Sequence, residues 1–570
     1  MESRAARSVC RRFPIPGERP GFLTPKVSPA YTETRKIPMS THRAVTKAAA
    51  IMMVAITLSR ALGLVRDMVI SGAFGQGLNT DVYYAAFNLP DLLFYLIAGG
   101  ALSSAFVPVF VEHISAGKRE EAWRLFSIIA TVMAVIVGGF IILGEIFARQ
   151  LIPVVAAGYH GAAADRVAHL TRIVLPAQFF FLLGALMMAS LWAHQQFVAP
   201  GLGPSIYNVG IIIGGAVAGT LLGPEKGVDG LAWGALAGAF AGNFVLQLIV
   251  LRRYGLKFRL NLNGRHPDAV RVWKLMLPVI FSLSLPQVDV WINRNFASLL
   301  AAGELSALDR ANRLMQVPIG IFGQAIAIGF YTSLAAQFAT NQVKDFRETV
   351  NYGLRAIAFV SIPATVLLIV LRVPVIQLLF QHGRFNAYAT HLVATALVFY
   401  ALGIAAWSAQ ALIARAFYSM QNTLIPFATG TVVTAIFIPM NYFLMKLMGF
   451  TGLALATTIA ASGLSLVMLY LLRRKAGGIG GSRLLSSVTR VTAASGVMGA
   501  AAGLVLLVLQ RVLPPDLPFK AAALVRVLGP AAVGGILFLL MVRALKIEEA
   551  AAVWDMIKRR FSRRPAPQEA

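Results

Sequence analysis

Cysteine is nearly absent. Of 570 residues only Cys10 carries a thiol, which excludes an intramolecular disulfide and any multi-cysteine metal site. Charge is scarce too, at 13%, and the 24 acidic residues are outnumbered by 51 basic ones. The eight histidines (His42, His113, His160, His169, His194, His266, His382, His391) show no paired ligand spacing, which argues against a structural or catalytic metal. No GxxxxGK[ST] run occurs, so an ATP-driven pump working alone is disfavoured. Neither a Ser/His/Asp constellation nor paired carboxylates present themselves, so the chain does not read as an enzyme.

What the chain has is apolar surface. It is 57% hydrophobic with a mean hydropathy of +0.71, the composition of a polytopic membrane protein. The net charge of +27 resides mainly in segments between apolar runs, which fits cytoplasmic-loop bias better than a nucleic-acid-binding face. Residues 1–42 are rich in Arg and Pro and lack an apolar core before Lys47, so a disordered basic cytoplasmic tail is expected rather than a secretory signal. Met39 is a candidate alternative start. A second basic tail is expected over 547–570.

Apolar stretches bounded by Gly, Pro and charges predict about fourteen transmembrane helices in an all-α fold. They are placed at 47–72, 80–111, 120–151, 167–195, 201–222, 228–251, 270–300, 305–337, 345–371, 386–418, 424–446, 451–473, 486–510 and 520–545. With the N-terminus inside, Lys and Arg concentrate in 252–274, 473–490 and the run Lys558–Arg564. The opposite loops 73–80 and 301–306 have none, and 222–228 has only Lys226. This asymmetry predicts both termini in the cytoplasm.

A repeat runs through the chain. Shifted by 228 positions, Arg66 falls on Arg294, Gly75 on Gly303, Asp81 on Asp309, Pro90 on Pro318 and Phe94 on Phe322. Six predicted helices separate the pairs, which implies two parallel, pseudo-symmetric six-helix lobes with a substrate site between them. The expected units are 43–255 (helices 1–6), 256–475 (helices 7–12) and 476–546 (helices 13–14).

The first helix carries the strongest anomaly, the run Ser59-Arg60-Ala-Leu-Gly63-Leu-Val-Arg66-Asp67. Helical spacing places these polar groups on one stripe, and Arg60 falls about 20 Å into a ~30 Å hydrocarbon layer. A guanidinium at that depth faces a wet cavity or an ion-pair partner, not lipid. Asp67 is a candidate partner for Arg60 or Arg66, and Asp309 for Arg313. The set Arg60, Arg66, Arg294 and Arg313 exceeds the partners in its own helices, which favours an anion site; Arg294 could instead snorkel to the outer interface. Asn88 and Pro90, with Gly99 and Gly100, suit either a hinge beside the cavity or close packing. Asp289 and Asn293 share a face of helix seven and could co-line a cavity or hold a cation.

The motifs Ser59-Arg60-x-Leu-Gly63-x-x-Arg66-Asp67, Phe74-Gly75-x-Gly77-x-x-Thr80-Asp81, Leu89-Pro90-Asp91-Leu92-Leu93 and Asn312-Arg313-Leu314-Met315-x-x-Pro318 resemble the MurJ/MviN family of the multidrug/oligosaccharidyl-lipid/polysaccharide exporter superfamily. Further matches are Leu379-Phe380-x-x-Gly383-x-Phe385 and Phe417-Tyr418-Ser419-x-Gln421-Asn422-Thr423-x-x-Pro426. The resemblance spans roughly residues 45–545. It implies a flippase for lipid II, the undecaprenyl-diphosphate-linked disaccharide pentapeptide, in the bacterial inner membrane, with helices 13 and 14 forming a lipid-tail groove. Contact with the cell-wall synthesis machinery would follow. It also implies that Arg60, Arg66 and Arg313 engage diphosphate, that Asp67 and Asp81 occupy important acidic positions, and that Asp289 matches a sodium-linked position. Sodium or the membrane potential would drive transport without an organic cofactor. Two departures stand out: Tyr95 and Gly99 replace a frequent Arg and Glu, and Asn422 replaces a frequent Asp. An exporter of another polyprenyl-linked glycan or an amphipathic drug is the alternative reading.

Overall fold

Apolar runs interrupted by Pro and Gly become straight and broken helices in the computed structural model, which describes residues 39–97 and 101–549. Of the tail expected over 1–42, residues 1–38 lie outside the described residues while 39–42 open the first helix; Gly99 and, of the basic tail expected over 547–570, residues 550–570 also lie outside, as does the side chain of Tyr95. No strand occurs among the described residues. By contacts, Ile51–Ala570 form one unit and Met1–Ala50 another.

The first half comprises α1 (Met39–Phe74), α2 (Leu78–Ala86), α3 (Asn88–Ile97), α4 (Ala101–Ser115), α5 (Arg119–Val155), α6 (Gly161–Val174), α7 (Ala177–Ala193), α8 (Val198–Leu221), α9 (Gly223–Gly238) and α10 (Leu246–Arg252). A π-helical turn, Ala239–Val245, joins the last two. The second half comprises α11 (Pro267–Ala297), α12 (Glu304–Pro318), α13 (Gln324–Ala339), α14 (Val343–Val370), α15 (Arg372–Leu379), α16 (Ala387–Ala401), α17 (Ile404–Ser419), α18 (Leu424–Met448) and α19 (Phe450–Ala476). The long helices α20 (Gly481–Val512) and α21 (Phe519–Ala544) follow.

Helices stand at each of the fourteen predicted positions. Among the described residues ten are long and apolar enough to cross a membrane, or eleven if α16 and α17, bent by 43°, count as one span. The remaining three predicted spans coincide with α1, α2–α4 and α11, which carry Arg60, Arg66, Asp67, Asp91, Asp289 and Arg294. Sequence reading missed α15, an eight-residue helix. It is tied to α21 where Lys520 donates to the carbonyls of Gln377 and Leu378 at 2.9 and 2.7 Å.

One apolar cluster draws only on residues between Leu102 and Met276, and another only on residues between Ala327 and Ile479. A third joins the halves, bringing Ile70, Val82 and Tyr83 together with Leu305, Leu308 and Leu392. Helix α11 is shared. Ala269, Val272 and Met276 at its start pack in the first half's cluster, while Ile292 near its end packs with Phe437 and Ala456 of the second. The 256 boundary therefore cuts just before a helix that serves both halves.

Helices α8 and α9 meet along glycines. A Cβ on Gly210 would lie 2.6 Å from the Gly234 carbonyl oxygen, and one on Gly238 2.8 Å from that of Tyr207. Small residues are what allow helices to approach this closely in lipid. Gly210→Leu is expected to cost about 1–3 kcal/mol by overpacking and to lower the thermal unfolding midpoint in detergent by a few degrees. Gly138→Leu, where a Cβ meets no atom within 4 Å, should leave it unchanged. Equal effects from the two would refute the close-packing account.

Candidate functional site

The polar stripe of α1 does not end in isolated charges. Arg66 donates to Asp67 from Nε and Nη2 at 3.1 and 3.0 Å, and from Nη1 to Asn208 Oδ1 at 3.0 Å. Arg313 Nη1 in α12 reaches both Asp67 oxygens, at 2.7 and 2.8 Å, while its Nε binds Asp309 at 2.8 Å. Arg294 in α11 donates to Asp309 at 3.0 Å and to Asp91 of α3 at 3.1 Å. The result is an unbroken alternation, Asp91–Arg294–Asp309–Arg313–Asp67–Arg66, which crosses between the halves twice.

Three arginines are thus matched by three aspartates. The expected surplus of cations over partners does not hold within this chain of ions, because Asp91, distant in sequence, supplies the third carboxylate. Arg294 is not an interfacial snorkeller: it is half-buried between two carboxylates. Pairing at these distances offsets part of the cost of drawing these charges out of water, and deleting Arg294 or Asp67 would leave Asp91 or Arg66 without an ionic partner. Arg60 stands apart. It is exposed, has no hydrogen-bond or ion-pair partner among the described residues, and rests its guanidinium against Gly320, where an added Cβ would collide with it. Gly320 lies in a π-helical turn, Ile319–Gly323, directly after Pro318.

Beside the ion chain lies a cavity of 340 Å³ between the halves. Its lining includes Asn88, Asp91, Arg294, Asp309 and Arg313 of the ion chain and its surroundings, together with Asp289, Asn293, Trp407 and Thr457. The Arg313 guanidinium also sits 5.3 Å over the Tyr84 ring, a cation–π contact that fixes its plane. An oxyanion entering here would meet two arginines already oriented by carboxylates, and would compete with Asp67 and Asp309 for the same N–H groups.

At one end of the ion chain, the repeat-related turns Gln76–Gly77 and Leu299–Gly303 seal the halves together. Asp81 Oδ1 accepts from the Ser306 amide at 2.8 Å, and its other oxygen accepts from the Gly303 amide. Gln76 donates to the Gly303 carbonyl. In return Arg310, with no exposed surface, donates to Ser71 Oγ at 2.9 Å, to the Gly75 carbonyl at 3.2 Å and to Gln76 Oε1. Each half therefore grips the other's turn. Both repeat glycines have positive φ, 72° at Gly75 and 94° at Gly303, the left-handed region that glycine enters without strain. Nearby, Ala157 and Gly158 amides donate to Asn295 Oδ1 and Ser298 Oγ at 2.8 and 2.9 Å.

Of the residues singled out in the sequence, Asn88, Asp289, Arg294 and Arg313 line the cavity. Asn88 is also buried, its amide donating to the Val155 carbonyl at 2.8 Å. Asp67 holds Arg313, and Arg66 in turn holds Asp67. Asp81 belongs to the seal. Ser59 offers its carbonyl to Asn208 at 3.3 Å. Asp91, Asn208, Gln76 and Arg310 were not chosen from sequence. Only Asp91 left a signal there, as an acid inside an apolar run after Pro90.

Asp289 opens on a second cavity of 140 Å³ shared with Gln410, Thr434 and Thr457. Thr434 Oγ1 donates to Asp289 at 2.7 Å, and Gln410 Oε1 is buried without a partner. Asn422 does not join them: its Oδ1 accepts from the Ile425 amide at the start of α18. Among the described residues no cluster of three or more His, Cys, Asp or Glu exists to hold a transition metal.

Residues 70–521 match the family described as lipid II flippase MurJ. Among curated relatives, the lipid II flippase MurJ of Burkholderia cenocepacia is 31% identical over 428 residues, 74% of this chain and 82% of its own. The probable lipid II flippase MurJ of Vibrio cholerae is 30% identical, covering 74% and 81%. A solved lipid II flippase MurJ in an inward closed conformation superposes with a TM-score of 0.71 at 25% identity, over 87% of this chain and 99% of that one. A multidrug resistance MATE transporter of the MOP superfamily, inward-facing, shares the fold at TM-score 0.59 and 16% identity, over 75% and 98%. Taken with the helical fold, the repeat and the arginine-lined cavity, these matches show that the chain belongs to the lipid II flippase MurJ family.

Proposed function

We propose that this multi-pass membrane protein moves lipid II from the cytoplasmic to the periplasmic leaflet by alternating access, without chemical change to its cargo. The observation that carries the reading is Arg313, presented to the inter-half cavity by two carboxylates, Asp67 and Asp309, with Arg294 beside it. The diphosphate would take over N–H groups that the carboxylates hold in the empty state. A 340 Å³ cavity is at the small end of the range that encloses a drug-sized ligand. It admits the diphosphate and little of a disaccharide pentapeptide, so the halves must part around the cargo while the polyprenyl tail stays in lipid.

The lobes in this reading are 43–255 and 256–475, with α20 and α21 forming the tail groove. Positive-inside bias puts both termini in the cytoplasm and the Gly75 and Gly303 turns at the periplasmic side. The seal made by Asp81, Gln76 and Arg310 is then the closed periplasmic gate. Because the ion chain is balanced, Arg60, without an ion-pair partner among the described residues, is a charge on which a membrane potential would act, worth ~2.3 kcal/mol per 100 mV. The cell-wall synthesis machinery is the proposed downstream partner. Complementation of a strain depleted of its own lipid II flippase tests the reading: growth is expected, and lysis despite normal membrane abundance would oppose it.

Sodium is the proposed coupling ion. Asp289, Thr434 and Gln410 offer oxygen donors of the kind a hard cation takes, and the bound ion would supply positive charge between α11 and α18. Asp289→Asn is expected to raise the sodium concentration for half-maximal translocation at least tenfold, roughly 1.4 kcal/mol of binding. An unchanged sodium dependence in vesicles, with choline as the replacement cation, would remove the assignment.

A further inference from the structure

Sharing no lining residue with the transport cavity, the start of α20, Arg355 of α14 and the turn after α21 line a polar cavity of 510 Å³. Four cations line it: Arg355, Arg483, Arg490 and Lys546. The two carboxylates that also line it both converge on Arg355. Glu549, buried, pairs with its Nε, and Glu548 accepts from Nη2 at 2.8 Å. Ser487 Oγ adds a 3.0 Å bond to Glu549. The hydrogen bond from Arg355 holds the exposed Glu548 carboxyl below its ordinary range.

The other three cations make no ion pair among the described residues, though Arg483 and Arg490 act on Glu548 through space. Arg483 and Lys546 have no ion-pair partner among the described residues, and Arg490 donates only to the Leu545 carbonyl, at 3.4 Å. Their side chains are exposed, while the fold fixes the backbone positions from which they reach the cavity. Arg483 and Arg490 stand seven residues apart on α20, two turns along one face. Lys546 sits at a backbone φ of 50°, a left-handed conformation that is strained for a non-glycine residue. Its amide is bonded to the Arg543 carbonyl at 3.3 Å, which holds that turn. Three like charges converging on one cavity repel one another, a cost that a multivalent anion removes. Ser482 and Ser486 add hydroxyl donors to the lining. The sequence beyond Glu549 adds further cations, Lys558, Arg559, Arg560, Arg563 and Arg564, against two acids, Asp555 and Glu569, so positive charge grows toward the terminus.

We propose that this cavity is a phosphate-binding site, separate from the transport cavity, in which Arg483, Arg490 and Lys546 hold the phosphate of an anionic ligand over the fixed Arg355–Glu549 pair. Arg and Lys matched to phosphate oxygens give charge-assisted bonds of the strong class. The site does not depend on the identity of the transported lipid.

Binding to the purified full-length chain in detergent tests it, with phosphatidylglycerol, phosphatidylcholine and inorganic pyrophosphate as probes and bound ligand counted by native mass spectrometry. Wild type is expected to retain phosphatidylglycerol over phosphatidylcholine, and Arg483→Gln/Arg490→Gln to lose at least tenfold in that retention with an unchanged melting midpoint. Lys546→Gln, in an exposed turn, should weaken it in the same direction, which keeps the test valid if the double variant misfolds. Retention of phosphatidylglycerol alone assigns a lipid source; protection by pyrophosphate in wild type but not in the variants assigns a soluble one. Either supports the site. Equal binding of both anionic probes by wild type and variants, or binding of neither by wild type, overturns it.

Discussion

Arg313→Ala is expected to abolish lipid II translocation while leaving the protein folded and in the membrane. The guanidinium is the joint of the ion chain, bonded on one side to Asp67 and on the other to Asp309. Its loss strands neither acid completely, since Arg66 still pairs with Asp67 and Arg294 with Asp309. Breaking a fully buried pair costs roughly 3–5 kcal/mol. Here the side chain is 34% exposed to the cavity, so about 2 kcal/mol is a better measure of the stability lost. Translocation suffers more. Deleting one charge-assisted contact to a phosphate removes about 3 kcal/mol of binding, roughly a hundredfold, and leaves the cavity wall with net negative charge facing an anion. Arg313→Lys separates charge from geometry. It keeps the cation but cannot bridge Asp67, Asp309 and a diphosphate in one plane, so a partial loss, about tenfold by the same scale, is expected. Translocation by Arg313→Ala at wild-type rate and abundance would remove the residue from the site.

Joining the two gate turns by a disulfide is expected to stop translocation reversibly. A Cβ on Gly303 would lie 3.3 Å from Gln76 Cγ, so a Cys pair at 76 and 303 has its β-carbons within bonding range. Cys10 is the only native thiol, which keeps the experiment clean. The pair has a cost in the reduced state. Gly303 has a φ of 94°, strained for cysteine, and Gln76 gives up its bonds to Gly303 and Arg310. The reduced variant is therefore expected to be slower than wild type, and the oxidised one inactive. Reduction restoring the slow rate is the diagnostic result. Translocation that continues after complete oxidation would mean that the halves need not part at these turns.

How much of this was legible in the sequence depends on range. Local signals carried well. The fourteen helical positions, the polar stripe of α1 and the correspondence of Arg66 with Arg294 and Gly75 with Gly303 were all readable from period and repeat. The repeat even marked the two turns that meet at the gate. Partners were not readable, because pairing is a tertiary property: Arg294 and Asp91 are 203 residues apart, and Arg313 and Asp67 are 246 apart. Counting acids only within the same helices therefore produced a surplus of cations that the fold removes. Arg310 was passed over for the same reason. Next to Asp309 in sequence it reads as one more polar residue of α12, yet it is fully buried against carbonyl, amide and hydroxyl acceptors of the other half. Helix α15 was invisible because eight residues between two spans are too few to carry a periodic signature of their own.

The central claim is that the halves open around Arg313 to carry a diphosphate lipid across the bilayer. The most direct measurement follows fluorescent lipid II in vesicles containing the purified full-length chain, as the fraction of headgroup reached by an impermeant quencher over time. Wild type is expected to equilibrate the lipid between leaflets, Arg313→Ala to leave it where it was loaded, and the 76/303 cysteine pair to switch between the two with reduction and oxidation. Equal equilibration in all three, or none by correctly folded wild type, would contradict the account.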